Sequence, residues 1–431
     1  MTQMKFSADF QILFATRILR LFGYGLLSLI LVIYLTQLGF SKTQIGLLLT
    51  LTLIGDVIVS LRITLSADRF GRKRMLVISA ALISLAGFIF FVTNSFLLLL
   101  VAAIIGVISP SGNEVGPFLP IEQAALSQII PDKQRTKIFA WYHLLGFAAT
   151  ATGSLCAGFL IHVFSGNGFS TLESYRLIIL IYAVLGILLG ILSLQLSPTI
   201  ETAKETKSGS ASVAFQKYFG LYESRSKILK LSALFTVDAF GGGFILQSIM
   251  AYWFYVRFQT DAVVLGSIFF GMNILAGLSG LLAARIASRT GLINTMVFTH
   301  LPSNILLILV PLMPNLTWAV SALLLRSTMS QMDVPTRQSY TMAVVHPDER
   351  SAAAGITNIA RTLGTAASPA LAVPLLASTS LLNVPFFLAG GIKICYDVML
   401  YRWFKTIKPF EEMTKNYNVP QKLDQKDESG R

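Results

Sequence analysis

Charge is what this chain has least of. Of its 431 residues only 13% are Asp, Glu, Lys or Arg, about half the share of an average soluble domain. Two cysteines, Cys156 and Cys395, both inside apolar runs, offer neither a disulfide framework nor a metal-ligand spacing. There is no phosphate-cradling loop and no dinucleotide fingerprint: the glycines of AFGGGF (Ala239–Phe244) sit on an apolar stretch, not after a strand. No nucleophile–base set converges either. These absences argue against an enzyme, against ATP as an energy source, and against any cofactor or metal.

What is present is grease. Apolar residues make up 54% of the chain, and mean hydropathy is +0.67. Runs long enough to cross a bilayer recur throughout. Twelve are expected, near 11–37, 44–66, 75–94, 97–130, 138–163, 176–197, 229–256, 263–284, 293–313, 316–345, 352–377 and 381–403. The first is too long for a signal-peptide core and lacks a small-residue cleavage site, so no cleaved leader is expected. The formal net charge of +13 is not a nucleic-acid footprint. With the N-terminus inside, the basic residues crowd the inner loops (Arg69, Arg72, Lys73, Arg74, Lys133, Arg135) and the tail, while the outer loops hold little beyond Lys42, Arg176 and Arg257. That is the positive-inside distribution. It places both termini in the cytoplasm, with the plasma membrane or a bacterial inner membrane as the expected location.

The chain reads as two copies of one half. A polar segment, 198–228, separates residues 1–197 from 229–403, and a polar tail, 404–431, follows; a surface helix is expected near KYFGLY in the linker. RLFGYGLLSLILVIYL in the first run matches DAFGGGFILQSIMAYW in the seventh: Gly23, Gly25 and Tyr34 align with Gly241, Gly243 and Tyr252 at one offset. ADRFG (67–71) matches ASRTG (287–291), and PIEQAALSQIIPDKQR matches PTRQSYTMAVVHPDER. Paired six-helix repeats are a transporter architecture.

The loop between the second and third runs, SADRFGRKRM, resembles the loop signature of the major facilitator superfamily. Asp68, Arg69, Gly71, Arg72 and Lys73 match it, while Thr64 stands where the signature opens with glycine and Ser66 replaces its leucine. The resemblance extends over residues 8–403, and the general layout is similar to the drug-efflux branch. It implies an all-α membrane protein of twelve helices in two six-helix bundles, a central cavity lined by the first, fourth, seventh and tenth helices, and a gating role for the loop, which clasps the two halves. The antiporter subgroup's glycine ladder is incomplete: Gly146, Gly153 and Gly158 occur without the closing proline, and helix packing is the simpler use for them.

Ionisable residues inside spans are costly and usually functional. Here they include Arg17, Arg20, Asp56, Glu114, Glu122, His143, Asp238, His300, Arg337 and Arg361; Arg62, Arg326, Lys393 and Asp397 lie close enough to span ends to snorkel. Arg20 aligns with Asp238 across the repeat, and Glu122 with Arg337, with opposite signs and similar depths of about 12–13 Å. Pairs Arg20–Glu122 and Asp238–Arg337, or their crosswise exchange, are therefore expected. By the same reasoning Glu114 has no partner and sits roughly 12 Å nearer the outer face, in a stretch broken by Pro110, Gly112, Gly116, Pro117 and Pro120. Glu114, Glu122 and Asp238 are the proton-coupling candidates. Arg20, Tyr24, Asn113, Gln247, Asp333, Arg337, Asn358 and Arg361, with Tyr252 and Trp253, are the candidate cavity liners, and the tenth helix should break around Pro335. The reading is a secondary transporter of a small organic solute by alternating access, proton-coupled, exporting first and importing by symport second; the arginines suggest an organic anion or amphiphile. A non-transporting sensor with this fold is the alternative of another class.

Overall fold

The computed structural model describes residues 8–201, 224–346 and 349–406; most of the linker, its expected surface helix and most of the tail lie outside these residues. Everything with regular structure among them is helical. Nine helical stretches are long and apolar enough to cross a membrane. They are α1 (Ala8–Gln37), α2 (Lys42–Phe70), α3 (Arg72–Val92), α6 (Asp132–Gly166), α7 (Thr171–Leu194), the pair α8 (Arg225–Gly243) and α9 (Gln247–Phe258), α10 (Ala262–Thr290), α11 (Leu292–Leu309) and α16 (Val384–Phe404). Three further crossings are interrupted: α4 (Phe96–Ile105) with α5 (Phe118–Ile129), α12 (Leu316–Ser327) with α13 (Asp333–Ala343), and α14 (Arg350–Ala367) with α15 (Pro369–Leu375). These recover the twelve expected crossings. Large apolar side chains such as Phe88, Phe159, Ile187, Phe298 and Leu325 point outward, as a lipid-facing surface requires.

The packing partners repeat. The first crossing lies on the fifth (α1 on α6) and the third on the sixth (α3 on α7); in the second bundle the seventh lies on the eleventh (α8 on α14) and the ninth on the twelfth (α11 on α16). The bundles meet where α6 packs on α10, and α2 on α14 and α15. Glycine allows the tightest approaches. A Cβ on Gly25 would stand 2.2 Å from the Thr150 carbonyl oxygen, and one on Gly153 would stand 2.1 Å from that of Phe22, so no larger residue fits between α1 and α6. Gly158 faces the Ala262 carbonyl just as closely. The glycines of α6 are thus a packing seam.

Turns are short and locally specified. Ser41 and Gln44 form a reciprocal cap at the start of α2, as Ser170 and Glu173 do for α7. Gly71, at φ 102°, reverses the chain between α2 and α3. The end of the molecule holding Ala8 and Gly71 is called the N-terminal face below, and the end holding Gln37 and Lys42 the far face.

Candidate functional site

Residues 106–117 leave the helix inside the bundle. Val107, Gly112 and Gly116 take φ of 54°, 70° and 83°, and Pro110 and Pro117 supply no N–H. Unwound backbone at this depth must find partners within the protein. It does. Tyr182 Oη donates to the Val107 carbonyl at 3.2 Å, Ser248 N to Pro110 at 3.1 Å, Thr150 Oγ1 to Gly112 at 3.1 Å, Ser109 Oγ to Asn113 at 2.7 Å, and Tyr24 Oη to Val115 at 3.4 Å. Tyr24 is therefore fully buried and committed to this backbone, not a cavity liner.

The unwinding corrects the expectation for Glu114. A rise of 1.5 Å per residue does not hold across a broken segment, so Glu114 is not stranded above Glu122. Both carboxylates reach Arg20. Its Nε donates to Glu114 Oε1 at 2.8 Å, and its two terminal nitrogens donate to Glu122 Oε1 and Oε2 at 2.7 and 2.8 Å. Arg17 donates to Glu114 Oε2 at 2.8 Å and to the Tyr142 carbonyl at 2.7 Å. Glu122 also accepts from Thr16 Oγ1 at 3.0 Å and from the Tyr142 hydroxyl. The Arg20 guanidinium lies 4.4 Å from the Phe118 ring centroid. The expected Arg20–Glu122 pair is present, inside a four-member ion network on α1, α5 and the broken segment.

The second cluster centres on Asp238. Lys393 Nζ lies 2.6 Å from its Oδ1 and Arg361 3.1 Å from its Oδ2, with Arg337 at 3.6 Å and His300 Nε2 at 3.8 Å. Arg337 is closer to Asp333, at 2.6 Å one turn earlier on α13. The expected Asp238–Arg337 pair is thus the long member of a larger network, and the crosswise exchange does not occur. His300 Nδ1 is 2.8 Å from Asp397, which also accepts from Asn304 at 2.9 Å. The break in the tenth crossing falls at 328–332, ahead of Pro335, because that proline sits in the first turn of α13, where its missing N–H costs nothing.

Between the clusters lies a cavity of about 640 Å³. Asp56, Asn113, Glu114, Asp238, Gln247, Asn273, His300, Arg326, Gln331, Asp333, Asn358, Arg361 and Lys393 line it. Arg20 and Arg337 stand behind the wall, contrary to expectation, and so does Glu122; their heads are taken up by ion pairs. Tyr252 and Trp253 also fall outside it: Lys42 stacks 3.9 Å from the Tyr252 ring, and Trp253 Nε1 donates to Asn383. Sequence reasoning did not assign Asp56 a role and placed Arg326 and Lys393 close enough to span ends to snorkel; all three line the cavity.

Toward the far face the cavity is closed by contacts between the bundles. Gln247 Nε2 donates to Ser28 Oγ and Ser154 Oγ, both at 2.9 Å, and its oxygen accepts from Asn273 at 3.0 Å. Ala370 N donates to Thr50 Oγ1 at 3.0 Å, and Gly46 abuts the Pro369 carbonyl. In the other direction the lining continues to Thr64 and Gly355, six and five residues from the N-terminal-face ends of α2 and α14, or about 8–9 Å. The expected gating loop bonds to the residues that follow α7. Arg72 N and Lys73 N donate to the Glu201 carboxylate at 2.7 and 3.2 Å, Arg72 to the Ile200 carbonyl at 3.1 Å, and Lys73 Nζ to that of Leu196 at 2.8 Å. Arg69 stacks loosely on Phe70, and the Asp68 side chain lies outside the described residues.

Comparison with known proteins agrees with this architecture. The family model for the Major Facilitator Superfamily matches residues 13–369. An uncharacterized membrane protein of Saccharomyces cerevisiae is 30% identical over 91% of this chain and 93% of its own length. The quinolone resistance protein NorA of Staphylococcus aureus is 28% identical over 43% of this chain and 44% of its own. Among solved structures, the nucleoside transporter NupG superposes with a TM-score of 0.68 at 17% identity over 92% of this chain and 99% of that one. The xylose transporter XylE from E. coli, in a partially occluded inward open conformation, gives 0.70 at 14% over 94% and 99%. The matched family, the near-complete overlap with the yeast protein and the twelve-crossing fold converge: this chain belongs to the major facilitator superfamily and is a multi-pass membrane transporter of the secondary kind.

Proposed function

We propose that this protein exports a small amphiphilic organic solute in exchange for protons. The observation that carries the reading is the charged cavity between the bundles, closed at the far face by contacts between them and continuing toward the N-terminal face. The basic loops make the N-terminal face cytoplasmic under the positive-inside rule, so the solute loads from the cytoplasm. Its energy comes from the proton gradient, with no ATP, cofactor or nucleic acid involved. The resemblance of part of the chain to NorA supports export.

Of the three carboxylates singled out for protons, Glu114 is the most open to the solute. Its side chain is 13% exposed, against 3% for Asp238 and 1% for Glu122, and it lines the cavity while Glu122 does not. A proton on Glu114 weakens its hold on Arg17 and Arg20, which couples protonation to the packing of α1. The arginines themselves do not support a net anion as solute: Arg17, Arg20, Arg337 and Arg361 each already face a carboxylate.

The test uses purified protein in liposomes enclosing a pH-sensitive dye, with a proton gradient imposed and pools of amphiphilic drugs and metabolites added. Solute-dependent proton flux opposite to solute movement, lost in Glu114→Gln, is the expected result. Flux in the same direction as the solute makes the protein an importer by symport. No solute-dependent flux with any pool refutes proton coupling.

A further inference from the structure

The charged groups around the cavity are unbalanced locally. In residues 8–201, Asp56, Glu114 and Glu122 face only Arg17 and Arg20. In residues 224–406, Arg326, Arg337, Arg361 and Lys393 outnumber Asp238 and Asp333, the carboxylates that face them, while Asp397 pairs with His300. One bundle therefore carries a carboxylate in excess and the other excess cations.

The geometry says which of them stand without an ion pair. Asp56 is 8% exposed and lines the cavity. It accepts from Ser60 Oγ at 3.1 Å and has no ion-pair partner among the described residues. Arg326 lines the same cavity and makes no hydrogen bond or ion pair among those residues; its Nε is buried without a partner. The two belong to helices packed in different parts of the molecule: α2 lies on α3, α4, α14 and α15, and α12 on α10 and α11. A cavity-lining charge without a contacting counter-charge is costly; the carboxylate near Arg326, that of Asp333, is bonded to Arg337, and a cavity presenting one free group of each sign is completed by a ligand that brings both. A singly charged solute satisfies one wall and leaves the other unmatched.

We propose that the solute is amphoteric, with its cationic group docked on Asp56 and its anionic group on Arg326. Its body lies between, against the neutral amides of Asn113, Gln331 and Asn358. The proposal deepens the transport reading and rests on it for the identity of the site. Its test is binding, which is read without any transport.

Purified full-length protein in detergent is titrated with matched sets of compounds that share one apolar body and, in the doubly charged member, carry a charge at each end of it: hexylamine, hexanoate and 6-aminohexanoate, then octylamine, octanoate and 8-aminooctanoate, then the twelve-carbon set. The doubly charged member of the binding sets is expected to bind roughly ten- to a hundredfold tighter than either singly charged one, the worth of one charge-assisted contact. Asp56→Asn should bring its affinity down to that of the carboxylate-only compound, and Arg326→Gln to that of the amine-only compound. Arg326→Lys, which keeps the charge, should retain the preference. The proposal is overturned if a singly charged or neutral member binds as tightly as the doubly charged one, or if no member of any set binds. It is also overturned if Asp56→Asn leaves binding intact while abolishing proton flux in liposomes, which makes Asp56 a proton carrier instead. The wild-type binding order stands whether or not a variant folds. The transport reading fails separately, when the reconstituted wild type moves none of the compounds it binds.

Discussion

Replacing Arg20 with methionine removes one side chain that serves three carboxylate oxygens. Glu114 keeps Arg17 at 2.8 Å, but Glu122, 1% exposed, keeps only the hydroxyls of Thr16 and Tyr142. Breaking a buried ion pair from one side costs about 3–5 kcal/mol, since the surviving charge has lost its solvation and its partner. Glu122→Met should cost a similar amount from the other side, because Arg20 is then left with Glu114 alone. The double variant leaves no orphaned ion: Glu114 and Arg17 still neutralise each other, Thr16 Oγ1 keeps the Leu13 carbonyl, and the residual penalty is that of the Tyr142 hydroxyl without an acceptor, roughly 1–3 kcal/mol. The cycle should therefore show a coupling of about 3 kcal/mol or more between positions 20 and 122. Reversing both charges is a poorer test, since it sets a carboxylate at position 20 against Glu114. Unfolding in mixed micelles with increasing denaturing detergent, followed by tryptophan fluorescence, reads each variant. If the two single losses simply add in the double variant, the claim that Arg20 and Glu122 form one buried electrostatic unit is wrong.

Other consequences follow from the same coordinates. Gln247→Ala removes the bonds to Ser28, Ser154 and Asn273; a cysteine placed at Met250, in a background with Cys156 and Cys395 replaced, should then be labelled faster from the far face. Gly158→Val should act the same way, because a side chain there meets the Ala262 carbonyl; unchanged labelling in both variants would remove Gln247 and the α6–α10 seam from the seal. Glu201→Ala uncaps α3 at Arg72 N and Lys73 N and should lower stability by about 1–2 kcal/mol with cavity binding intact. Gly153→Leu forces α1 and α6 apart at the Phe22 carbonyl and should abolish folded protein on size-exclusion chromatography.

Much of this was legible in the residues. Apolar runs report burial in lipid directly, so the crossings emerge from hydropathy, and the repeat of glycines and the DRxGRK loop point to the fold family. Arg20 and Glu122 could be matched because each sits at a countable depth on a regular helix. Glu114 could not, since the count fails once 106–117 unwinds and folds the chain back toward Arg20. Lys393 and Asp238 are 155 residues apart, and nothing in the local pattern distinguishes a lysine that reaches inward from one that snorkels outward. The Asp333–Arg337 pair carried a readable signal, an acid four residues before a base on one helix, but depth matching across the repeat drew Arg337 toward Asp238. The polar hub at Gln247 had no signal, because a neutral amide among serines looks the same whether it seals two bundles or lines a cavity.

The placement of the two kinds of contact explains how such a molecule can switch. Every ion pair in the two buried networks joins residues of the same segment, either 8–201 or 224–406. Each network ties together helices that must move as a body, and none has to break for the bundles to rock. The far-face seal is made differently, from hydrogen bonds at Gln247 and Thr50, the stacking of Lys42 on Tyr252 and glycine contacts. A neutral hydrogen bond contributes about 0.5–1.5 kcal/mol net, so the few at this seal amount to a sum that a solute or a proton can offset. A buried ion pair in their place would hold the far face shut, because its separation strands two charges at several kcal/mol each. The arrangement therefore predicts an asymmetry: substitutions in the ion networks reduce stability and leave the balance between the two openings little changed, whereas substitutions in the seal shift that balance and leave stability little changed. Finding that Arg20→Met opens the far face as much as Gln247→Ala does would contradict it.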